Sequence, residues 1–553
     1  MRKLRYFYAV QPVVTPSIWI NNLLNQVPWQ NNSSVIVQWI TNPASVFVAP
    51  SSLAIVATVQ PPTVSVVNTS TFDFYISTSG SSGNPGTLAQ PWDIGSLNTK
   101  GTTYKGKRVG LIAGTYGVSS LLIAAGGNYN NIAIDVTGGT IASNTYIGSS
   151  DVSGNESPRA ATIQGNDNGL FGGGNGNKCS MIGHSANVGY VTFSGLKITG
   201  ASLWCMTFGQ TAGVNTAPPG IVVKNCEFTG NSAQNCTVAS GENCAVLQLM
   251  SATNALIQNN YFHDNFGWTD TTHFSAVYHW GVQSGCQGTQ FLYNTFVNSG
   301  GLHGKESPQW GTVIAYNYLD TSTKTPAGGY GAAITGFNDT GGNVSATATS
   351  VHHNIFVAPD TSSLANAAAY YMSFNDITQY YWYTGLSIYN NTFIQSTNLN
   401  GSGLCIWEQS GLSGLFTVYN NLFYDGAHNG CTQLGYVSSN IDGFALLDYN
   451  IYGNGSANYV GSLWPPGLNY PQNSGSGSYY NTIGGWQAAS GADAHSSRNG
   501  TNPFTNNGTF AKQYQVTSGP AYQTGKVGGI PAGATCNVGA WDGTVTQIGC
   551  DFA

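Results

Sequence analysis

The stretch "LIQNNYFHDN" (256–265) has near-copies in "FLYNTFVNS" (291–299), "SIYNNTFIQS" (387–396) and "TVYNNLFYDG" (417–426). In each copy apolar and polar residues alternate, the period of a strand with one buried face. An Asn interrupts the alternation just before the middle, and an aromatic or aliphatic residue follows two places later. Aligned on that residue, the copies fall at Phe228, Phe262, Phe296, Leu319, Phe356, Phe393, Phe423 and Tyr452, with spacings of 34, 34, 23, 37, 37, 30 and 29. "VTFSGLKITG" (191–200) is an earlier, Asn-poor copy, with Ile198 30 residues before Phe228.

Units of one type repeating every ~20–50 residues indicate a solenoid. No copy carries the pattern of an amphipathic helix. Short strands with a polar corner predict a parallel β-helix, in which neighbouring coils stack about 4.8 Å apart. The repeated Phe, Leu and Ile are expected to stack inward as one core. Asn suits the corner because it tolerates left-handed backbone conformations and its side chains can hydrogen-bond along the axis. The variable spacing assigns loops of different length to one or two edges, where a solenoid builds its binding face.

Three segments follow. Residues 1–68 are rich in Val, Ile and Trp, poor in Gly, and end at "QPPTVSVVNTS", which reads as a small β-rich N-terminal module and linker. Residues 72–490 form the β-helix and residues 491–553 close it. The start "MRKLRYFYAVQP" is basic, but Gln11 and Pro12 break its apolar run, so neither a secretory leader nor a membrane-spanning helix is expected.

Composition supports a rigid, uncharged body. Only 7% of the 553 residues are charged, against 41% hydrophobic and 12% aromatic. Like charges stacked in register repel, which accounts for their scarcity. A formal net charge of −6 excludes nucleic acid as an expected partner. The ten Cys show no metal-binding spacing. Cys536 with Cys550 and Cys236 with Cys244 are candidate pairs, although most Cys read as small buried hydrophobes. "GGGNGNKCS" (172–180) lacks the Gly before Lys178 that a phosphate loop requires.

Chemistry concentrates in "YFHDNFGWTDTTHFSAVYHWGVQ" (261–283) and "GGLHGKESPQWGTV" (300–313). These windows hold Asp264, Asp270, Lys305, Glu306 and four of the nine His, at 263, 273, 279 and 303. "AVYHWGV" and "GLHGKES" precede consecutive corner motifs and so predict the same strand in adjacent coils. With Leu302 and Gly304 pointing inward, alternation points His303 and Lys305 outward. Asp264, Asp270 and His273 are expected on the intervening loop. Trp268, Trp280, Trp310, Tyr380, Tyr381, Trp382 and Tyr383 offer aromatic faces suited to stacking on sugar rings. "TQYYWYTG" (378–385) is the strongest of these, because four consecutive aromatics cannot all point inward on a strand.

The chain resembles the pectate-lyase-like family of right-handed parallel β-helices. The resemblance rests on "FDFYISTSGSSGNPGTLAQPWDIGSLN" (72–98), "GLIAGTYGV" (110–118), "YQVTSGPAYQTG" (514–525) and "NVGAWDG" (537–543). It implies that the strand bearing His303 and Lys305 borders a glycan groove. Eliminative cleavage of a uronate glycan needs a base, a positive group to neutralise the carboxylate, and an acid. Lys305 is the expected base, with His279, His303 and His273 as further acid–base candidates and a Ca²⁺ on Asp264 and Asp270 as the neutralising charge. A hydrolase would instead pair Glu306 with Asp264 or Asp270.

Among the functions hosted by this architecture, the expected one is a bacteriophage virion protein of tailspike or fibre type. Residues 1–68 would attach it to other virion proteins, and its homotrimeric β-helix would bind bacterial surface polysaccharide, with or without cutting it. A free, extracellular polysaccharide lyase or hydrolase and a non-catalytic adhesive β-helix are the alternatives.

Overall fold

The computed structural model describes residues within 72–551. Residues 1–71, 166–178, 232–243, 266–273, 281–285, 321–333, 336–348, 358–371, 375–385, 396–401, 408–415, 426–431, 438–443, 454–458, 465–477, 505–510, 528–534, 552–553 and several shorter stretches lie outside that description. The chain divides between Val64 and Ser65, and every described residue belongs to the second part. The expected N-terminal module at 1–68 is therefore outside the described residues.

The described strands form two sheets of 12 strands and one of 13, which we call A, B and C. Successive strands pass from A to B to C and back, so each coil contributes one strand to each sheet. Within A and B all pairs are parallel, as Val222–Lys224 on Leu256–Gln258 and Glu227–Thr229 on Tyr261–His263 illustrate. Sheet C is parallel except for antiparallel pairs at its two ends. This is the right-handed parallel β-helix predicted from the repeat.

The register stacks like on like. On the inward side of sheet B, Phe228, Phe262 and Phe296 are fully buried, with consecutive ring centroids 4.7 Å apart. Phe356, Phe393, Phe423 and Tyr452 continue the column. Sheet A supplies Val223, Ile257, Phe291, Ile314 and Val351, all fully buried.

The corner between A and B divides the two roles expected of Asn between consecutive residues. The first takes the left-handed conformation, at Asn225, Asn259, Tyr293, Tyr316, His353, Asn390, Asn420 and Tyr449. The second is the buried ladder residue, at Asn260, Asn294, Asn317, Asn354, Asn391, Asn421 and Asn450. Asn317 shows the pattern. Its backbone N–H and its Nδ2 each donate to Asn354 Oδ1 at 2.9 Å, and Nδ2 also donates to the carbonyl of Phe291 at 2.8 Å. Its own Oδ1 accepts from the backbone N–H and Nδ2 of Asn294. A side chain one atom longer or shorter breaks this repeat. Tyr and His occupy left-handed positions that favour Gly or Asn, and there they stack, as Tyr293 on Tyr316 at 4.8 Å and Tyr316 on His353 at 5.2 Å.

The C-terminal end of the β-helix is closed. The helix Ile483–Ser490, capped by Thr482 and by left-handed Gly491, places Trp486 over the last coil. Its indole N–H donates to the buried Asp493 carboxylate, which also accepts from Tyr452, Asn450 and Ser496. The asparagine ladder thus ends on a carboxylate rather than on open backbone. Among the described residues, no helix is long and apolar enough to cross a membrane.

The expected closing segment, 491–553, does two things. Ser497–Arg498 adds the last strand of sheet B. From residue 503 the chain then folds back as a strap over the outward face of sheet B. Val516, Ala521 and Val538 cover Leu422 and Ile451. The Ala540 amide donates to Thr392, the Cys550 amide to Thr295, and Asp551 exchanges hydrogen bonds with Asn259. Midway, Asp542 accepts from His353 at 3.0 Å, and His353 shares a 2.8 Å hydrogen bond with His352. Burial holds His352 at about 3, while the His353 bond outweighs burial and draws Asp542 down to about 2.

The strap also corrects a cysteine pairing. Cys536 lies beside Asn420 and Cys550 beside Thr295, four strand spacings apart on sheet B, or about 19 Å. A disulfide needs Cα atoms within roughly 7 Å. Cys205, Cys226, Cys536 and Cys550 are free thiols, and Cys236 is outside the described residues.

Two outcomes follow from this architecture. Asn317→Ala leaves buried backbone groups of two coils unpaired, and denaturant unfolding should show a loss of about 1–3 kcal/mol. Asp542→Ala should speed proteolytic cleavage within 503–551 at neutral pH while far-ultraviolet circular dichroism is unchanged. In the unsubstituted chain that protection is complete above the ordinary Asp value of 3.8 and is lost as pH falls towards 2.

Candidate functional site

Sheet C carries the predicted chemistry. Phe274–Trp280 pairs in parallel with Leu302–Lys305, joining Val277 to Leu302, Tyr278 to His303, His279 to Gly304 and Trp280 to Lys305. Val277 and Leu302 are buried, in line with Leu247. The register sets Tyr278 beside His303 and Trp280 beside Lys305. His279 shares its row with Gly304 and with the buried Leu249, not with His303.

These register rows continue along the sheet. The row of His303 runs through Gln248, Tyr278, Thr335, Ser373, Cys405, Gly435 and Ser462. Two residues further along each strand lie Met250, Trp280 and Lys305, and in later coils Trp407, Val437 and Trp464. By residue type the first row is mostly polar, and the second mixes Trp280, Trp407, Trp464 and Lys305 with Met250 and Val437. At the early end the rows are closed over, since Thr207, Gln248 and Met250 are buried.

The other candidates separate from this pair of strands. Trp310 pairs with Gln287 on a two-stranded ribbon that leads into sheet A. Glu306, Trp268, Asp270, His273, Tyr380, Tyr381, Trp382 and Tyr383 lie outside the described residues. Asp264 is a left-handed corner at the end of the sheet B strand Tyr261–His263, rather than part of a loop over sheet C.

At that corner Asp264 accepts from His263 Nδ1 and from Asn298 Nδ2, both at 2.8 Å. His263 Nε2 lies 3.4 Å from Glu227, which also meets Lys197 at 2.6 Å and Arg159 at 3.5 Å. The His263 bond, opposed by burial and assisted by Lys197, pulls Glu227 from 4.5 to about 2. Burial disfavours charge on His263, but Glu227 and Asp264 outweigh it and raise the imidazole above 6.5. Asp264 is lowered against its own burial by His263 and Asn298. Among the described residues, no group of three His, Cys, Asp or Glu side chains is placed to hold a metal ion.

The sequence pointed to Asp264 but not to this network. Its signal is the repeat itself, because Lys197, Glu227 and Tyr261 are register partners in three successive coils. The Asp542–His353–His352 chain had no such signal, its carboxylate lying 189 residues from its imidazole.

No protein-family model and no curated protein matches the sequence. Among solved structures, a rhamnogalacturonan lyase is similar at 12% identity, over 65% of this chain and 84% of that one, with a TM-score of 0.38. The A-module of an Azotobacter vinelandii mannuronan C-5 epimerase is similar at 12% identity over 68% and 93%, TM-score 0.38. The tailspike protein of Escherichia coli bacteriophage HK620, solved with a pentasaccharide, is similar at 9% identity over 73% of each chain, TM-score 0.34.

The Glu227 network predicts a pH window. Glu227 has a depressed value, so its contribution is present above 4.5 and lost as pH falls towards 2. His263 has a raised value, so its contribution is present below 6.5 and lost as pH climbs through that raised value. Thermal stability should therefore have a component that peaks between these limits, and Glu227→Gln should flatten it. The described chain is a right-handed parallel β-helix.

Proposed function

We propose that this chain binds a bacterial surface polysaccharide along the outward face of sheet C and cleaves it there. The observation that carries this reading is the sheet C register, which sets Tyr278 beside His303 and Trp280 beside Lys305. Polar and aromatic side chains repeating at the strand spacing suit an extended chain of hydroxyl-bearing rings. The alternatives on the molecule are less suited. The strap occupies much of sheet B, and sheet A's outward row includes Val222, Leu256 and Val313.

In the cleavage reaction Lys305 is the base, and Glu306 follows it directly in the sequence. The biological setting we propose is a trimeric spike or fibre of a bacteriophage particle, attached through residues 1–68. The distinct composition of that segment and the uncharged body support it. A soluble extracellular lyase or hydrolase would share the sheet C chemistry but would not depend on residues 1–68.

The test incubates the protein with acidic and neutral bacterial polysaccharides, following glycan size by chromatography and unsaturated ends by ultraviolet absorbance. Lys305→Ala should slow shortening about 100-fold or more. Unsaturated ends identify elimination, and shortening without them assigns the chemistry to Glu306. Full cleavage by both Lys305→Ala and Glu306→Ala contradicts the assignment.

A further inference from the structure

A second site lies on sheet A, near its first strands. Gly110, Gly148, Ser194 and Lys224 are register partners in four adjacent strands, Arg108–Ile112, Thr145–Ser150, Val191–Ser194 and Val222–Lys224. The two glycines make a shallow trough. A Cβ on Gly110 would stand 2.6 Å from the Phe72 ring, and one on Gly148 would stand 2.5 Å from the Tyr146 ring. Their absence lets both aromatic rings lie against the sheet.

Two cations converge on this trough. The Arg108 guanidinium stacks 4.0 Å from the Tyr146 ring centroid and 5.3 Å from that of Phe72. Lys224 Nζ lies 5.8 Å from the Tyr146 ring, near the outer limit of a cation–π contact. Arg108 meets Glu156 at 3.4 Å, and its backbone N–H donates to Asp73. Among the described residues, no ion pair or hydrogen bond engages the Lys224 ammonium. Tyr146 is 7% exposed, yet its hydroxyl is buried without a hydrogen-bond partner, as is Arg108 Nε.

Buried donors are nearly always paired, and a lysine set among apolar rings beside another cation normally has a carboxylate. Glu156 engages Arg108 through Nη2 only, so the Tyr146 hydroxyl, Arg108 Nε and the Lys224 ammonium remain as donors that describe the complement of an anion. Burial and the neighbouring Arg108 both lower Lys224, against the attraction of Glu156. An added negative charge would relieve that, by the same electrostatics that favour the ammonium form.

We propose that Lys224, Tyr146 and Arg108 form a binding site for a single oxyanion group, a carboxylate or sulfate. Lys224 supplies the charge, the Tyr146 hydroxyl donates a hydrogen bond, and Arg108 Nε donates the third. The site is on a different sheet from His303 and Lys305 and does not depend on the reading of that face.

Isothermal titration of the full-length protein tests this with sodium sulfate and sodium glucuronate. Sodium chloride at matched ionic strength and glucose are the controls. Binding of either anion, weakened about tenfold or more in Lys224→Met and less in Tyr146→Phe, is the expected result. Sulfate alone would identify a free inorganic oxyanion as the ligand, and glucuronate a sugar acid. Tyr146→Phe keeps the ring that Arg108 stacks on, so it reads the hydroxyl even where Lys224→Met disturbs folding. No binding of either anion, or binding undiminished in both variants, overturns the site.

Discussion

The structure depends on in-register stacking at the interstrand spacing of a sheet, about 4.8 Å. Every position in one coil has an equivalent directly above it in the next, so a residue must be able to stand on a copy of itself. Phenylalanine can, in offset stacks on the inward face of sheet B. Asparagine can, because its amide donates up one coil and accepts from another. Unpaired like charges cannot, and the chain has few charged residues. Where charge does occur on sheet B, opposite signs meet along the stack, as Lys197 and Glu227 do.

A solenoid of this kind holds each coil mainly through its two neighbours. The strap from residue 503 changes that. One segment touches the coils of Ile451, Thr392, His353, Thr295 and Asn259, so it couples coils that do not touch each other. It also decides which face is free. Sheet B's outward residues Tyr318, Ile355 and Leu422 would otherwise form an exposed apolar stripe, and the strap removes that stripe from solvent.

Much of this was legible in the sequence because the repeat is local. The spacing from Phe228 to Tyr452 located the coils, and alternation around Leu302 set His303 and Lys305 apart from Gly304. The same register pairs His279 with Gly304 rather than with His303, which motif reading alone did not separate. The long-range features had no such period. The strap approaches Asn259 with a residue 292 positions later in sequence, and its apolar residues look like those of a final coil. Asp264 was read as a loop residue because its conformation is set by the corner it occupies rather than by residue type. Left-handed Tyr293 and Tyr316 were invisible for the converse reason: ring stacking between coils offsets a backbone preference that favours Asn.

The central claim is that the outward face of sheet C is where the chain meets its ligand. Hydrogen–deuterium exchange with and without a bound polysaccharide tests it most directly, because it reads each strand separately. The account predicts added protection at 274–280, 302–305 and 402–407, with 222–224 and 355–357 unchanged. Protection confined to the strands of sheet A or to the strap, with those of sheet C unaffected, would contradict it.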